Sequence, residues 1–251
     1  MKYIQSSKNE KVKQWKKLTT KKERDKSGLF LVEGEHLVEE ALQAGLIQEV
    51  IVTESYQPKL AKVKFSGHDV FVIANDISKL ISETETPQGI FAVCKQFNHS
   101  KVAGSKYLLI DAVQDPGNLG TMIRTADAVG ADAVIVGEGS VDVYNAKVLR
   151  SAQGSNFHLP IIRGNLHEWI DKLQQQSIPV YGTALQNGEP MYEVQSGASF
   201  AIIVGNEGQG VDPSLLAKTT KNLYIPIYGK SESLNVAVAT GVLLYYLRGN
   251  K

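Results

Sequence analysis

Polar and flexible residues are concentrated at positions 115–126, with the sequence DPGNLGTMIRTA. They follow the apolar run Tyr107–Val113, which predicts a strand covered on both faces. Residues 115–117 are typical of a turn, and Asn118 is a candidate N-cap for the helix that the next apolar residues predict. That spacing puts Arg124 on the open face of the helix, about one turn in. A cation there opposes the helix dipole, so this context favours contact with an anion or an ionising hydroxyl over an ordinary surface arginine.

Two later segments place similar chemistry after buried strands. Phe200–Val204 predicts a strand and leads into GNEGQGVDP at 205–213, a loop with three glycines and one glutamate. Leu223–Ile227 predicts another strand, and residues 228–232 lead from it into an apolar helix with Ser233 as its expected N-cap. Glycine-rich loops at the ends of buried strands are the usual ligand sites of α/β sheets.

Together the segments NLGTMIRTA, IVGNEGQGVDP and IPIYGKSESLNVAVA resemble the signature set of the SpoU/TrmH family of RNA ribose 2′-O-methyltransferases, in the SPOUT superfamily. The resemblance covers roughly the C-terminal half, in the family's order and spacing. It implies a mostly parallel sheet with flanking helices, tied in a deep trefoil knot that general topology rules do not predict. The N-terminal half resembles, more weakly, the ribosomal-protein-like substrate-binding domain found ahead of many such catalytic domains.

The resemblance also implies a cofactor, a partner and site residues. The cofactor is S-adenosyl-L-methionine, with no metal, and the enzyme works as a homodimer on RNA. The cofactor pocket is assigned to Thr183, Ala184, Gly205, Gly210, Ile225, Ile227 and Leu234. Arg124 matches the arginine that helps to ionise the ribose hydroxyl, either as a base or as a stabiliser of the alkoxide. Asn118, Glu207, Ser233 and Asn235 match the polar positions that orient Arg124, the ribose and the loops.

The sequence lacks the residue spacing that the motifs of other catalytic and nucleotide-binding sites require. Gly229-Lys230-Ser231 resembles the end of a phosphate-binding loop, but Tyr224 occupies the position of its first glycine. The glycines of the 205–210 loop do not have the dinucleotide-binding spacing. No G-x-S-x-G nucleophile motif is present, and the five histidines do not have metal-ligand spacing.

The composition limits the classes of protein to which the chain can belong. The 251 residues carry a net charge of +1 and are 43% hydrophobic, which suits a soluble globular protein of one or two domains. No apolar run is long enough to span a bilayer, so no membrane partner is expected. Cys94 is the only cysteine, and the polar N-terminus lacks a secretion signal. A reducing, cytoplasmic location is therefore expected.

The first 26 residues are strongly basic, with ten lysines and arginines against three acidic residues, a net charge of +7. Trp15 lies within this segment. Phosphate contacts by the lysines and base stacking by Trp15 would suit RNA binding. The alternative is an amphipathic helix that docks Val12, Trp15 and Leu18 on the domain, and both interpretations can hold together.

Alternating strand and helix patterns predict an α/β fold with two domains, residues 1–96 and 107–251, joined by a linker at 97–106. Strands are predicted at 29–34, 49–53, 70–73, 90–94, 107–113, 134–136, 158–162, 180–184, 200–204 and 223–227. Helices are predicted at 34–44, 58–64, 76–82, 119–130, 145–152, 166–176, 213–218 and 234–247. The last helix is apolar nearly all round, so it is either central to its domain or covered by a second subunit.

The expected activity is ribose 2′-O-methylation of structured RNA, with ribosomal RNA as the first candidate substrate. Transfer RNA is the alternative within this class. A non-catalytic RNA-binding protein on the same scaffold is the alternative outside it.

Overall fold

A computed structural model describes residues 1–62, 65, 67–97 and 102–249. The chain forms two compact units, Met1–Asn98 with Asp142–Phe157, and His99–Val141 with His158–Lys251. Segment 142–157 therefore groups with the first unit, whereas the sequence analysis assigned it to the second domain. The reason is aromatic packing, because the rings of Tyr144 and Phe157 lie against Phe30 at 4.7 and 6.3 Å. Residues 98–101 of the predicted linker and 63–64 of the predicted helix at 58–64 lie outside the described residues.

The elements of the N-terminal part follow one another in an α/β order. They are β1 (Lys2–Ile4), α1 (Glu10–Lys17), α2 (Lys21–Ser27), β2 (Leu29–Glu33), α3 (Glu35–Gln43), β3 (Ile47–Thr53), a 3₁₀ helix (Gln57–Lys62), β4 (Asp69–Ile73), α4 (Asn75–Ile81) and β5 (Ile90–Lys95).

The C-terminal part continues with β6 (Lys106–Ile110), α5 (Pro116–Ala128), β7 (Ala133–Val136), α6 (Ala146–Ala152), a 3₁₀ helix (Ser155–Phe157), β8 (Ile161–Arg163), α7 (Leu166–Gln175), β9 (Val180–Thr183), β10 (Glu189–Pro190), a 3₁₀ helix (Met191–Glu193), β11 (Phe200–Val204), α8 (Pro213–Leu216), β12 (Lys221–Tyr224) and α9 (Val236–Arg248). Of these, α6 and the 3₁₀ helix after it belong to the first unit.

The first unit is built on a mixed five-stranded sheet of order β1-β4-β3-β5-β2. The edge strand β1 lies in the lysine-rich N-terminus and was not predicted; its Ile4 pairs with Ile73. Trp15 is 1% exposed, lies edge-on to Phe71 and donates its indole N–H to Glu49 over 2.8 Å. The docked interpretation of this segment is therefore correct, and Trp15 is not free to stack on a base.

The second unit has a seven-stranded sheet of order β10-β12-β9-β11-β6-β7-β8, and every pair in it is parallel. Helices α7 and α8 cover one face through Ile170, Leu173 and Leu215. Helices α5 and α9 pack on each other and contact β7 and β11. The predicted α/β architecture with a mostly parallel sheet is confirmed.

Two predicted boundaries are wrong in ways that matter for the site. Helix α5 begins at Pro116, and its N-cap is Asp115, whose side chain accepts the Asn118 N–H over 2.8 Å. Proline is favoured in the first helical position, so the cap lies directly before it and the Asn118 side chain is free for other contacts. Strand β12 ends at Tyr224, so Ile225 and Ile227 follow the strand rather than belong to it.

Candidate functional site

The candidate site lies at one edge of the second unit's sheet. Strands β12, β9, β11 and β6 are parallel neighbours in that order, so the segments that follow them emerge at the same edge. The backbone there is tightly connected: Asp111 N–H donates to the Val204 carbonyl over 2.9 Å, and Ala184 N–H donates to the Leu223 carbonyl over 3.0 Å. The three sequence motifs therefore meet at this edge.

Glu207 connects the loop after β11 to the start of helix α5. One carboxylate oxygen accepts the backbone N–H of Gln114 over 3.1 Å, and the other accepts the N–H of Asp115 over 2.9 Å. The second oxygen also accepts a hydrogen bond from the side-chain Nδ2 of Asn118 over 3.0 Å. A carboxylate without a hydrogen of its own is well suited to three donors.

Asn235 adds the third motif to this cluster. Ser233 is the N-cap that the sequence predicts for the last helix, but the N-cap in the structure is Asn235. Its Oδ1 accepts the N–H groups of Ala237 and Val238 over 2.9 and 3.3 Å, while its Nδ2 donates to Asn118 Oδ1 over 3.0 Å. Asn235, Asn118 and Glu207 therefore form one hydrogen-bonded chain, which we call the Asn–Asn–Glu chain.

The Asn–Asn–Glu chain keeps its carboxylate charged. Partial burial raises the pKa of Glu207, but the hydrogen bonds from Asn118 and from the Asp115 and Gln114 backbone outweigh it, and the net pKa lies below the ordinary value. These donors stabilise the ionised form. At neutral pH the chain is therefore anchored on a full negative charge at the N-terminus of α5, where the helix dipole also favours it.

The loop after β11 closes on itself. Asn206 N–H donates to the Gly210 carbonyl over 3.0 Å, and Gly210 N–H donates back over 2.9 Å. Gly205 is buried, and a Cβ at this position would overlap the backbone of Gly210 and Val211. Gly210 has φ +73°, which favours glycine. The loop is therefore a compact backbone surface that side chains would obstruct.

Asn206 holds this loop together and is not among the site residues predicted from the sequence. Its Oδ1 accepts the N–H groups of Gly208 and Gln209 over 2.9 and 3.0 Å, and its Nδ2 donates to the Ala112 carbonyl over 2.9 Å. Asn206 thus shapes the loop from inside and fixes it to the segment after β6. An asparagine next to glycine in a turn was the available signal, because its side chain commonly bonds backbone groups two residues on.

The other predicted pocket residues lie at or beyond the ends of β9 and β12 or just before α9. Thr183 is the last residue of β9 and pairs with Leu223 of β12, and Ala184 follows it. Ile225 and Ile227 are half-buried beyond the end of β12. Leu234 is 38% exposed just before α9. Apolar side chains thus accompany the backbone groups of this edge.

Two predicted catalytic residues are not part of the Asn–Asn–Glu chain. Arg124 is exposed on α5, as its helical spacing predicts, and its guanidinium bonds to no residue in the described part of the chain. Ser233 is exposed, and its carbonyl accepts the hydroxyl of Ser231 over 2.8 Å. Arg124 is a cation available to a ligand or a second chain.

Metal-binding and membrane-spanning features are not found in the described part of the chain. Among these residues, no group of three or more histidine, cysteine or acidic side chains is arranged to hold a metal ion. No described helix is both long and apolar enough to cross a membrane.

Comparison with known proteins identifies the family to which this chain belongs. The sequence profile of the SpoU rRNA methylase family matches residues 105–245, more than half of the chain. The chain belongs to the SpoU rRNA methylase family. A second profile, the MRM3-like substrate binding domain, matches residues 9–92. The resemblance read from the three motifs is confirmed.

Members of the SpoU family resemble the chain over nearly its whole length. The 23S rRNA (guanosine(2553)-2′-O)-methyltransferase RlmP of Bacillus subtilis is 55% identical over 250 residues, which are 99% of this chain and 100% of that protein. An AdoMet-bound rRNA methyltransferase from Sinorhizobium meliloti is 31% identical, with a TM-score of 0.86 over 98% of this chain and 97% of that one. The SpoU methyltransferase AviRb from Streptomyces viridochromogenes, in complex with AdoMet, is 26% identical, with a TM-score of 0.86 over 96% and 97%. The trefoil knot stays a prediction.

Proposed function

We propose that this chain is a cytoplasmic enzyme that methylates the 2′-oxygen of a ribose in ribosomal RNA with S-adenosylmethionine (AdoMet). The Asn–Asn–Glu chain carries the proposal, because Asn235, Asn118 and Glu207 come from the three separate motifs and meet at one sheet edge. The relative from Bacillus subtilis, whose name gives a 23S rRNA ribose methylation, supports ribosomal RNA as the substrate.

The residues at this edge fit the cofactor. Backbone groups of the closed loop at Gly205 and Gly210 can bind the adenosine without intervening side chains. The half-buried Ile225 and Ile227, with Leu234, offer apolar contact to its base. Thr183 and Ala184 complete the set from the neighbouring strand. When bound, AdoMet supplies an electrophilic methyl group on a sulfonium.

The chain's own polar residues prepare the acceptor. The guanidinium of Arg124 donates hydrogen bonds and has no acceptor atom, so it is poorly suited to take up a proton. Its better role is to stabilise the alkoxide that forms as the 2′-hydroxyl loses its proton. The Asn–Asn–Glu chain fixes the first turn of α5, and Arg124 lies about two turns further along the same helix. The loop around Ser233 lies directly before Asn235 and is exposed for contact with the ribose.

A homodimer completes the proposed enzyme. Val238, Val242 and Tyr245 are 54%, 36% and 58% exposed on α9, and their spacing of four and three residues puts them in one stripe. Helix α5, which carries Arg124, packs beside α9. A second copy of the chain that covers this stripe would therefore bring Arg124 close to a neighbouring subunit, in agreement with the arrangement that the family resemblance implies.

The direct test uses purified chain, AdoMet with a labelled methyl group and ribosomal RNA from cells that lack the gene. We expect label on a ribose 2′-oxygen of ribosomal RNA, and calorimetric binding of AdoMet in the presence of a chelator. Transfer RNA from the same cells is the comparison substrate. If AdoMet does not bind at millimolar concentration, the proposed methyltransferase activity is wrong. If transfer RNA is labelled in preference to ribosomal RNA, the proposed substrate is wrong.

A further inference from the structure

Tyr228 is the most exposed large hydrophobic side chain in the described part of the chain, at 87%. It forms no hydrogen bond or ring contact with any described residue. Two other exposed tyrosines do have partners: Gln57 donates to the Tyr3 hydroxyl over 3.0 Å, and Tyr192 lies edge-on to Tyr246 with ring centroids 5.7 Å apart. A single exposed hydrophobic residue is ordinary on a protein surface, so the position of Tyr228 decides what its ring can do.

Tyr228 lies in the segment between β12 and α9, beside residues that the proposed function gives to the cofactor. Its Cα is about 3.8 Å from that of Ile227, the spacing of neighbouring residues in a chain, and Leu234 lies at the far end of the same segment. The segment starts at the sheet edge where the Asn–Asn–Glu chain lies. A ribose that accepts the methyl group has to lie at this edge as well, which brings its base within reach of the segment.

The segment projects from the unit, but its ends are fixed. A Cβ at the adjacent Gly229 would meet no heavy atom within 4 Å, so this stretch stands clear of the neighbouring elements. On one side the segment continues from β12. On the other, the Ser231 hydroxyl donates to the Ser233 carbonyl over 2.8 Å, and Asn235 caps α9. An aromatic ring on such a segment is well placed for contact with a second molecule.

The charges of this segment are balanced, which favours contact through the ring over attraction of phosphates. Lys230 and Glu232 are both exposed, and neither forms an ion pair with any described residue, so their opposite charges cancel. Binding through phosphates depends on an excess of lysine or arginine. Stacking of a base on an aromatic side chain does not, and it is a common way in which proteins hold an unpaired nucleotide.

We propose that the base of the methylated nucleotide stacks on the ring of Tyr228, which presents the attached ribose to AdoMet. Stacking limits the orientation of the nucleotide and therefore of its 2′-hydroxyl, and such orientation raises the rate of the chemical step. Every base has a π-face, so the contact accepts any of the four bases. This inference rests on the proposed function, since it takes ribose methylation at this sheet edge as given.

The test is a double-mutant cycle between the ring and the base. The protein change is Tyr228→Ala. The RNA change is a ribosomal RNA rebuilt by ligation with an abasic ribose, its 2′-hydroxyl intact, at the nucleotide that the labelling experiment identifies. Each change alone should lower kcat/KM for RNA by about tenfold, the usual scale of base–aromatic stacking. Both changes together should lower it by little more than either one.

Further variants separate stacking from apolar volume and from folding. Tyr228→Phe keeps the aromatic face and should keep kcat/KM within about twofold, whereas Tyr228→Leu lacks that face and should resemble Tyr228→Ala. Tyr192→Ala removes another exposed tyrosine of this unit and is the matched control. It should be as sensitive to the abasic ribose as the wild type. The melting temperature and AdoMet affinity of Tyr228→Ala should match those of the wild type, because its ring contacts no described residue.

Three results would overturn the proposal: full activity of Tyr228→Ala, losses that multiply when both changes are combined, or a Tyr228→Leu variant as active as Tyr228→Phe. A second copy of the chain that covers Tyr228 would also overturn it. Tyr228→Ala would then shift sedimentation toward the monomer and lower activity equally on intact and abasic RNA. If the wild type methylates RNA and the losses multiply, only this inference is refuted, whereas absent methyl transfer refutes the proposed function on which it rests.

Discussion

Asn235 donates a hydrogen bond to Asn118 over 3.0 Å while the same side chain caps helix α9. One residue thus fixes the start of the last helix and connects it to the first turn of α5. Asn165 caps α7 in a comparable way, since its Oδ1 accepts the N–H groups of His167 and Glu168 over 2.9 and 3.4 Å. It has no role in the site, which makes it a matched control.

We therefore predict a separation of stability from activity. Asn235→Ala and Asn165→Ala should each lower the free energy of unfolding by roughly 0.5–2 kcal/mol, the usual cost of a lost cap. Only Asn235→Ala should also reduce kcat, by about a hundredfold, because the loops of the site lose their alignment. Denaturant unfolding and methyl-transfer assays measure the two effects. Equal activities of the two variants would show that the bond to Asn118 does not matter for catalysis.

The loop after β11 yields a second prediction. Gly205→Ala should lower the free energy of unfolding by about 3 kcal/mol or more, since the added methyl overlaps backbone that cannot move without opening the loop. Gly208→Ala in the same loop is the control, because a Cβ there meets nothing closer than 3.7 Å. Its unfolding free energy should change by about 0.5 kcal/mol at most. If both variants are equally stable, the loop has more room than its geometry indicates.

The ionisation of Glu207 should make the free energy of unfolding depend on pH in a specific way. Its pKa is lowered in the folded protein from an ordinary value of 4.5, so its hydrogen bonds contribute stability above that value. This contribution should disappear as the pH falls through the lowered pKa. The stability difference between wild type and Glu207→Gln should therefore be constant near neutral pH and shrink in acid.

Unfolding curves at several pH values measure this difference. Glu168→Gln is the control, because the exposed Glu168 side chain accepts no hydrogen bond from any described residue. A Glu207→Gln difference that grows on acidification would mean that the folded protein raises the pKa of Glu207 rather than lowers it.

The sequence predicted the sheet of the second unit well because its strands are continuous apolar runs ended by turn residues. The helix starts were harder. Asp115 and Asn118 are both good caps, and Pro116 decides between them only when its preference for the first helical position is counted. At α9, Ser233 and Asn235 compete in the same way. At each of these helix starts, the local sequence limits the candidate N-cap to two residues. The hydrogen bond from Asn235 to Asn118 is a long-range contact, which the local sequence pattern does not reveal.

The same limit explains two features of the first unit that the sequence left open or grouped differently. Segment 142–157 has the strand–helix context of the second domain, but Asp142 pairs with Arg24, which is 118 positions away in the chain. Trp15 within a run of lysines fits both a stacking surface and a docked helix. Burial against Phe71 decides between them, and burial depends on the fold as a whole.

The lysines of the basic segment are not equivalent, which gives a prediction for RNA binding. Lys2 and Lys13 form ion pairs with Asp69 and Glu10 at 2.9 and 2.7 Å. Lys16 and Lys17 form none with any described residue. Lys16→Ala with Lys17→Ala should weaken binding of single-stranded RNA and reduce the slope of log Kd against log salt by about 0.7 for each lysine that contacts a phosphate.

The matched control is Lys2→Ala with Lys13→Ala, which removes the same number of charges but leaves that slope nearly unchanged. AdoMet binding should not change in either double variant. Identical slopes for the two double variants would mean that RNA does not follow the α1–α2 turn.

Arg124 connects catalysis to the proposed dimer. It is exposed on α5 and bonds to no described residue, so Arg124→Ala should leave the melting temperature and AdoMet affinity as they are. Methyl transfer should fall by at least about a hundredfold, as expected when a group that stabilises developing charge is removed. Arg124→Lys keeps the charge without the planar donor fork and should have intermediate activity.

Mixed dimers test whether Arg124 and Asn235 serve one site from two subunits. Arg124→Ala and Asn235→Ala chains, each strongly impaired alone, should regain part of the wild-type activity when they are unfolded together and refolded, because half of the mixed dimers' sites then hold both native residues. Val242→Glu, which places a charge in the exposed stripe of α9, should abolish this recovery and shift sedimentation toward the monomer. A wild type that sediments as a monomer at micromolar concentration and is still active would contradict the shared site, since Arg124 would then act within its own chain.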